Sequence, residues 1–167
     1  MYAALRKLER HPVLRKKDIH KLFPEESEKT LVKSLSRMTT AGLLTRVARD
    51  LYINTLAPRN PHLLEEIARA ARPGCFMYVS LESALSEHGR ISQVPLVLTV
   101  MTDGSAGVVR TTLGTIEFTH TKRTAAEMLA RSVHVDGRPL RVATPGAAEQ
   151  DLRRVGRNVN MLLDQED

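Results

Sequence analysis

The chain has 167 residues, 42% hydrophobic and 26% charged, which is enough apolar content for one ordinary domain or two small ones. No apolar run approaches the roughly 18–20 residues a membrane helix requires, and with so many charges among residues 1–21 a secretory signal peptide is not expected there. A soluble, cytoplasmic protein with no membrane contact is therefore expected. The formal charge of +6 is unevenly spread: residues 1–55 hold twelve Lys or Arg and six acids, whereas the remaining 112 residues hold thirteen of each. Such segregation points to a polyanion-binding module at the N-terminal end.

In chain order, Tyr2 to Arg10 predicts a helix with Leu5 and Leu8 inward, ended near Pro12. A second helix is expected from Lys16 to Phe23, then a short turn at Pro24-Glu25-Glu26. Ser27 has the chemistry of an N-cap for a third helix running to about Ala41, stopped by Gly42. There Leu31, Leu35 and Met38 recur at i, i+4 and i+7, while Lys29, Lys33, Ser36, Arg37 and Thr40 occupy the other side. Leu43 to Val47 and Leu51 to Ile53 read as two short strands turning through Ala48-Arg49-Asp50. The order helix, helix, turn, helix, hairpin is that of a winged helix-turn-helix. On that reading Lys29, Thr30, Lys33, Ser34 and Arg37 reach base edges in the major groove, while Lys16, Lys17, Arg46 and Arg49 meet phosphates. Glu25, Glu26 and Glu28 at the start of the third helix work against it, because phosphate repels them.

Ala57-Pro58-Arg59-Asn60-Pro61 breaks the composition, so a DNA-binding domain at 1–56 and a second domain at 62–167 are expected. The second should be a small mixed α/β domain with antiparallel hairpins, which makes the whole chain α+β. Its expected elements are a helix at 63–71, a strand at 76–79, a helix capped by Ser80 with Leu81, Ala84 and Leu85 inward, and a buried strand from Leu96 to Met101. Strands at 108–112 and 115–119 follow, and two close turns suggest an antiparallel sheet. A hairpin joins 133–135 to 140–142, and a helix carrying Leu152, Val155, Val159 and Leu162 runs from Glu149 to Leu163.

No catalytic constellation emerges, so a catalytic role, a cofactor and a metal are not expected. Asp103 to Gly107 lacks the Gly-Lys-Ser/Thr ending of a phosphate loop and reads as a turn. Glu117 and His120 fall on opposite faces of a strand. Glu82 and Glu87 read as solvated, Cys75 as a small buried hydrophobe, and the six histidines show no zinc-site spacing.

The run from Phe23 through Leu31, then Leu35-Ser36-Arg37-Met38 and Ala41 to Arg49, resembles the N-terminal domain of AbiEi-family antitoxins. Tyr78-Val79-Ser80-Leu81-Glu82-Ser83-Ala84-Leu85-Ser86, Gly114 to Phe118 and Arg141 to Pro145 extend the resemblance over most of the chain. The resemblance implies a type IV antitoxin that represses its own operon by binding promoter repeats in double-stranded DNA. It also implies that the protein counters a nucleotidyltransferase-like toxin without a stable complex. A regulator of a mobile-element operon without a toxin, and an antitoxin that grips its toxin directly, remain alternatives; monomer and dimer are both open.

Overall fold

The computed structural model describes residues 2–163. The chain is mixed α and β and divides into two compact units, Met1–Ala71 with Thr111–Leu113, and Arg72–Arg110 with Gly114–Asp167. The division thus falls after Ala71, whereas 57–61 was expected. The segment beyond the prolines, α4 (Leu63–Ala71), buries Ile67 and Ala68 and lies against two strands of the first unit.

In the first unit α1 (Tyr2–Lys7) is followed by a short strand, β1 (Val13–Arg15), that sequence periodicity does not reveal. β1 pairs antiparallel with β3 (Leu51–Asn54), which pairs antiparallel with β2 (Leu44–Ala48), giving a three-stranded sheet in the order β1-β3-β2. Arg49 and Asp50 make the β2–β3 turn, and Asp50 takes a left-handed backbone (φ 58°) that Asp tolerates better than most residues. Before the sheet's last two strands come α2 (Lys16–His20) and α3 (Glu28–Thr40). α2 ends three residues earlier than its apolar pattern suggests, because Leu22 and Phe23 donate to carbonyls three residues back instead of four. The connection to α3 is consequently the longer stretch 21–27. Leu5, Leu14, Ile19, Leu31, Leu35, Met38, Leu44 and Tyr52 form the core, with Leu8 and Phe23 at its margin. A leucine so buried contributes about 1.5–3 kcal/mol.

The second unit is built on a six-stranded sheet in the order β6-β7-β5-β4-β9-β8. Its strands are β4 (Met77–Val79), β5 (Val97–Thr102), β6 (Gly107–Thr111), β7 (Gly114–His120), β8 (Ser132–Val133) and β9 (Arg141–Ala143). The expected β8–β9 hairpin is present, with Ser132 opposite Ala143. The purely antiparallel sheet is not: β5 pairs with β7 in parallel, as does β4 with β9, while β4 and β5 run antiparallel. The turn after β5 therefore does not close a hairpin, since β7 separates β5 from β6. A Cβ on Gly104 in that turn would sit 2.5 Å from Cys75 Sγ, so any larger residue there would have to displace the Cys75 side chain. Cys75 itself is half-buried and not fully enclosed.

Helices α5 (Leu81–Glu87) and α7 (Pro145–Val155) pack on each other and against β5 and β9 respectively. α6 (Ala125–Ala130), absent from the expected elements, is opened by a capping box: Thr124 Oγ1 accepts from Glu127 N, and Glu127 accepts from Thr124 N. The last helix begins and ends earlier than Glu149–Leu163. Thr144 caps it, Pro145 takes the first helical position, and Gly156 in the left-handed region (φ 73°) stops it. Val159–Met161 is then a separate 3₁₀ turn. Among the described residues no helix is long and apolar enough to cross a membrane.

Candidate nucleic-acid interface

The sequence places its candidate residues on α3, and the structure sorts them. Ser27 adopts an extended backbone and its Oγ accepts from Thr30 N at 3.2 Å, which begins α3 where expected. At about 100° per residue, the buried Leu31, Ser34, Leu35 and Met38 gather on one side. Lys29, Lys33, Ser36 and Thr40 stand on the side directly opposite, all exposed, with Arg37 and Thr30 on one flank. Glu28, Val32 and Thr39 take the other flank.

One expected base-reading residue is overturned: Ser34 is only 6% exposed, on the margin of the apolar stripe, so it faces the core. Thr30 is exposed, but its hydroxyl shares a 2.9 Å hydrogen bond with Ser27 Oγ and so belongs partly to the cap. Val32 was not singled out by its sequence pattern, yet it is 49% exposed beside the cationic row. Only an apolar residue that breaks the core periodicity could have signalled it.

Among the expected phosphate contacts, Lys17, Arg46 and Arg49 are exposed. Lys16 is committed elsewhere: its Nζ donates to Glu28 Oε1 at 2.5 Å. That bond holds the ammonium above the usual lysine range and the Glu28 carboxyl below the usual carboxylate range. The pair answers part of the electrostatic objection, because Glu28 is neutralised by a lysine outside the helix. Likewise Asp18 accepts both Arg15 Nε and Nη2 at 2.6 Å, which depresses its carboxyl. Among the described residues Lys17, Lys29, Lys33, Arg37 and Arg46 engage no carboxylate, and Arg49 lies 3.9 Å from Asp50 in an exposed pair. Extending the count from residue 55 to Ala71 adds Arg59, Arg69, Glu65 and Glu66, so the whole excess charge stays within the first 71 residues.

The second unit handles charge differently. Asp151 on α7 is fully buried and accepts from Ser80 Oγ (2.8 Å), Tyr78 Oη (3.0 Å), Arg123 Nη1 (2.7 Å) and Arg131 Nη2 (3.0 Å). Ser80 therefore spends its hydroxyl on Asp151 and does not cap α5. Burial, followed by the neighbouring Asp151 charge, pushes the Tyr78 hydroxyl up, which keeps it a donor. Burial works against the Arg123 charge, but the carboxylate outweighs it. Glu82, expected to be solvated, is 6% exposed and accepts from Arg157 Nε and Asn158 Nδ2. His120 Nδ1 contacts Gly104 O at 2.8 Å, while Glu117 is bound by Arg157, so the two form no common site.

Neither a protein-family model nor a curated protein matches the chain.

Proposed function

We propose that residues 1–71 act as a winged helix-turn-helix that binds double-stranded DNA, with α3 in the major groove and the β2–β3 hairpin as the wing. The observation that carries the reading is the exposed i, i+4, i+8 row of Lys29, Lys33 and Arg37, which starts on the side of α3 opposite the core and runs onto its flank. Among the described residues it engages no carboxylate, while the one acid within the helix, Glu28, is tied to Lys16. Lys33 and Arg37 can donate to guanine O6 and N7, and Ser36 and Thr40 can bond to several base edges. Lys17, Arg46 and Arg49 supply phosphate contacts that orient the domain without reading sequence. On this proposal the protein is a non-enzymatic, intracellular transcriptional repressor of its own operon. Following its resemblance to AbiEi-family proteins, we extend the proposal to an antitoxin acting against a nucleotidyltransferase-like toxin without a stable complex.

The test is fluorescence anisotropy on the protein's own promoter and on a scrambled duplex across a salt series. Preference for the promoter is expected, with a log–log salt slope that steepens by about 0.9 per phosphate neutralised. Replacing Lys33 and Arg37 with alanine should erase the preference, at about 1–3 kcal/mol for each bidentate pairing with a base that is removed. Lys17→Ala should weaken both duplexes alike. Equal affinity of the unaltered protein for the two duplexes sinks the reading. The antitoxin extension stands or falls separately, on whether the full chain relieves growth arrest by a nucleotidyltransferase-like product encoded beside it.

A further inference from the structure

The second unit contains a cleft of about 310 Å³ that the DNA-binding reading does not use. Glu82, Glu117 and Arg157 line its floor, and Val94, Leu96 and Met161 stand around it. Arg157 donates through Nε to Glu82 Oε1 at 3.2 Å and through Nη1 to Glu117, so a single guanidinium serves two carboxylates. Asn158 Nδ2 adds a neutral donor to Glu82 at 2.8 Å. Among the described residues no second cation pairs with either carboxylate, which leaves the cluster one unit negative. The rim holds two apolar side chains in water beside the exposed Gln93: Val94 is 83% exposed and Leu96 94%, on either side of Pro95. Leu96 was expected to open a buried strand, but β5 starts at Val97 and leaves that side chain outside.

Each feature narrows the occupant. The volume lies at the low end of ligand pockets, roughly 300–1,000 Å³, and admits one long side chain sooner than a nucleotide. The uncompensated charge selects a cation, and repels nucleic acid phosphate. The exposed apolar side chains at the rim stay largely in water around a small free amine seated within the cleft, but they gain from an apolar surface continuing past it. We propose that the cleft and its rim dock a segment of a partner protein that places an arginine or lysine side chain into the cleft between apolar neighbours on Val94 and Leu96. This interaction is separate from the proposed DNA interface and survives if the DNA reading fails.

The test uses the full chain labelled with ¹⁵N and two capped pentapeptides, alanine–leucine–arginine–leucine–alanine and the same sequence with neutral citrulline replacing arginine. Amide shifts are expected at Val94, Leu96, Glu117 and Asn158, with the citrulline peptide weaker by roughly tenfold or more, the scale of a charge-assisted hydrogen bond. Glu117→Gln should remove most of that difference. Because that change also disturbs Arg157, Leu96→Ser provides a second variant; its exposed position should leave the melting temperature unchanged while peptide affinity falls. Equal binding of the two peptides overturns the proposal, as do shifts that avoid the cleft or a Leu96→Ser protein that binds normally. n-Butylguanidinium binding as tightly as the arginine peptide overturns the assignment of a protein partner.

Discussion

Around α3 in the first unit the ionised side chains stand outside an apolar core, the buried Glu65 lying apart from it on α4 beside His62, whereas in the second unit several are built into the interior. Leu31, Leu35 and Met38 of α3 meet Leu5, Leu14 and Ile19 in one hydrophobic cluster. The corresponding interior of the second unit holds Asp151, Tyr78 and Ser80 at 0% exposure, with Arg123 and Arg131 reaching in. The difference teaches where each unit can use charge. Exposed cations such as Lys29 and Lys33 keep their donors available to another molecule. Buried ones have exchanged water for Asp151, and their removal leaves the remaining partners without compensation.

The largest expected effect follows from that exchange. Asp151→Ala strands Arg123 and Arg131 beside a buried void and should cost about 3–5 kcal/mol, measured by urea unfolding. Removing the first unit's exposed Glu28 in the same way should cost far less, because exposed pairs are screened and solvated. A loss below about 1 kcal/mol for Asp151→Ala would place its network among ordinary surface pairs and erase the contrast.

How much of this is legible beforehand depends on how far apart the cooperating residues lie. Ser27 as a cap and Leu31, Leu35 and Met38 as a core stripe are local patterns, and α3 follows from them within a residue at either end. Thr144-Pro145 and Gly156 are equally local signals for α7, but the chance continuation of apolar spacing into Val159 and Leu162 disguises its end. The capping box Thr124-x-x-Glu127 likewise announces α6. β1 has only three residues and exists because Val13 meets Ile53 across the sheet, so nothing within Val13–Arg15 reveals it. The parallel pairing of β5 and β7 is hidden in the same way. At the candidate interface the charged residues are legible as a face. Ser34 is not, because a small polar residue on the edge of an apolar stripe fits burial and exposure equally well. The Glu82–Arg157 and Lys16–Glu28 pairs join residues distant in sequence, so Glu82 reads as solvated and Lys16 as free.

Helix caps offer a control of intermediate size, because they depend on local backbone geometry and not on where a unit puts its charges. Ser27→Ala in the first unit and Thr144→Ala in the second each remove a side-chain acceptor for a first-turn N–H, Thr30 N at 3.2 Å and Ala147 N at 3.3 Å. Each should cost about 1 kcal/mol. Similar values confine the contrast between the units to electrostatics. A severalfold larger loss at Thr144 would instead mean that the whole second unit tolerates perturbation less well, since α7 also carries Asp151.

The smallest effect separates the two kinds of charge by pH and salt. Glu28 titrates below its unfolded value, because Lys16 donates to it. Its contribution is therefore present above the unfolded carboxylate pKa of about 4.3 and is lost as pH falls through the lower folded value. Tyr78 titrates above its unfolded value, because of burial and then Asp151. Its contribution is complete below a pKa of about 10 and is lost as pH rises through the higher folded value. The melting-temperature difference between the unaltered protein and Glu28→Gln should thus vanish on the acid side, and the difference for Tyr78→Phe should vanish on the alkaline side. Salt adds a second axis. At about 1 M the screening length falls to roughly 3 Å, which should shrink the Glu28 difference while leaving that of Tyr78, enclosed at 0% exposure, nearly unchanged. If salt reduced both differences equally, Tyr78 and Asp151 would be reached by solvent ions, and the Asp151 network would be no more interior than the Lys16–Glu28 pair.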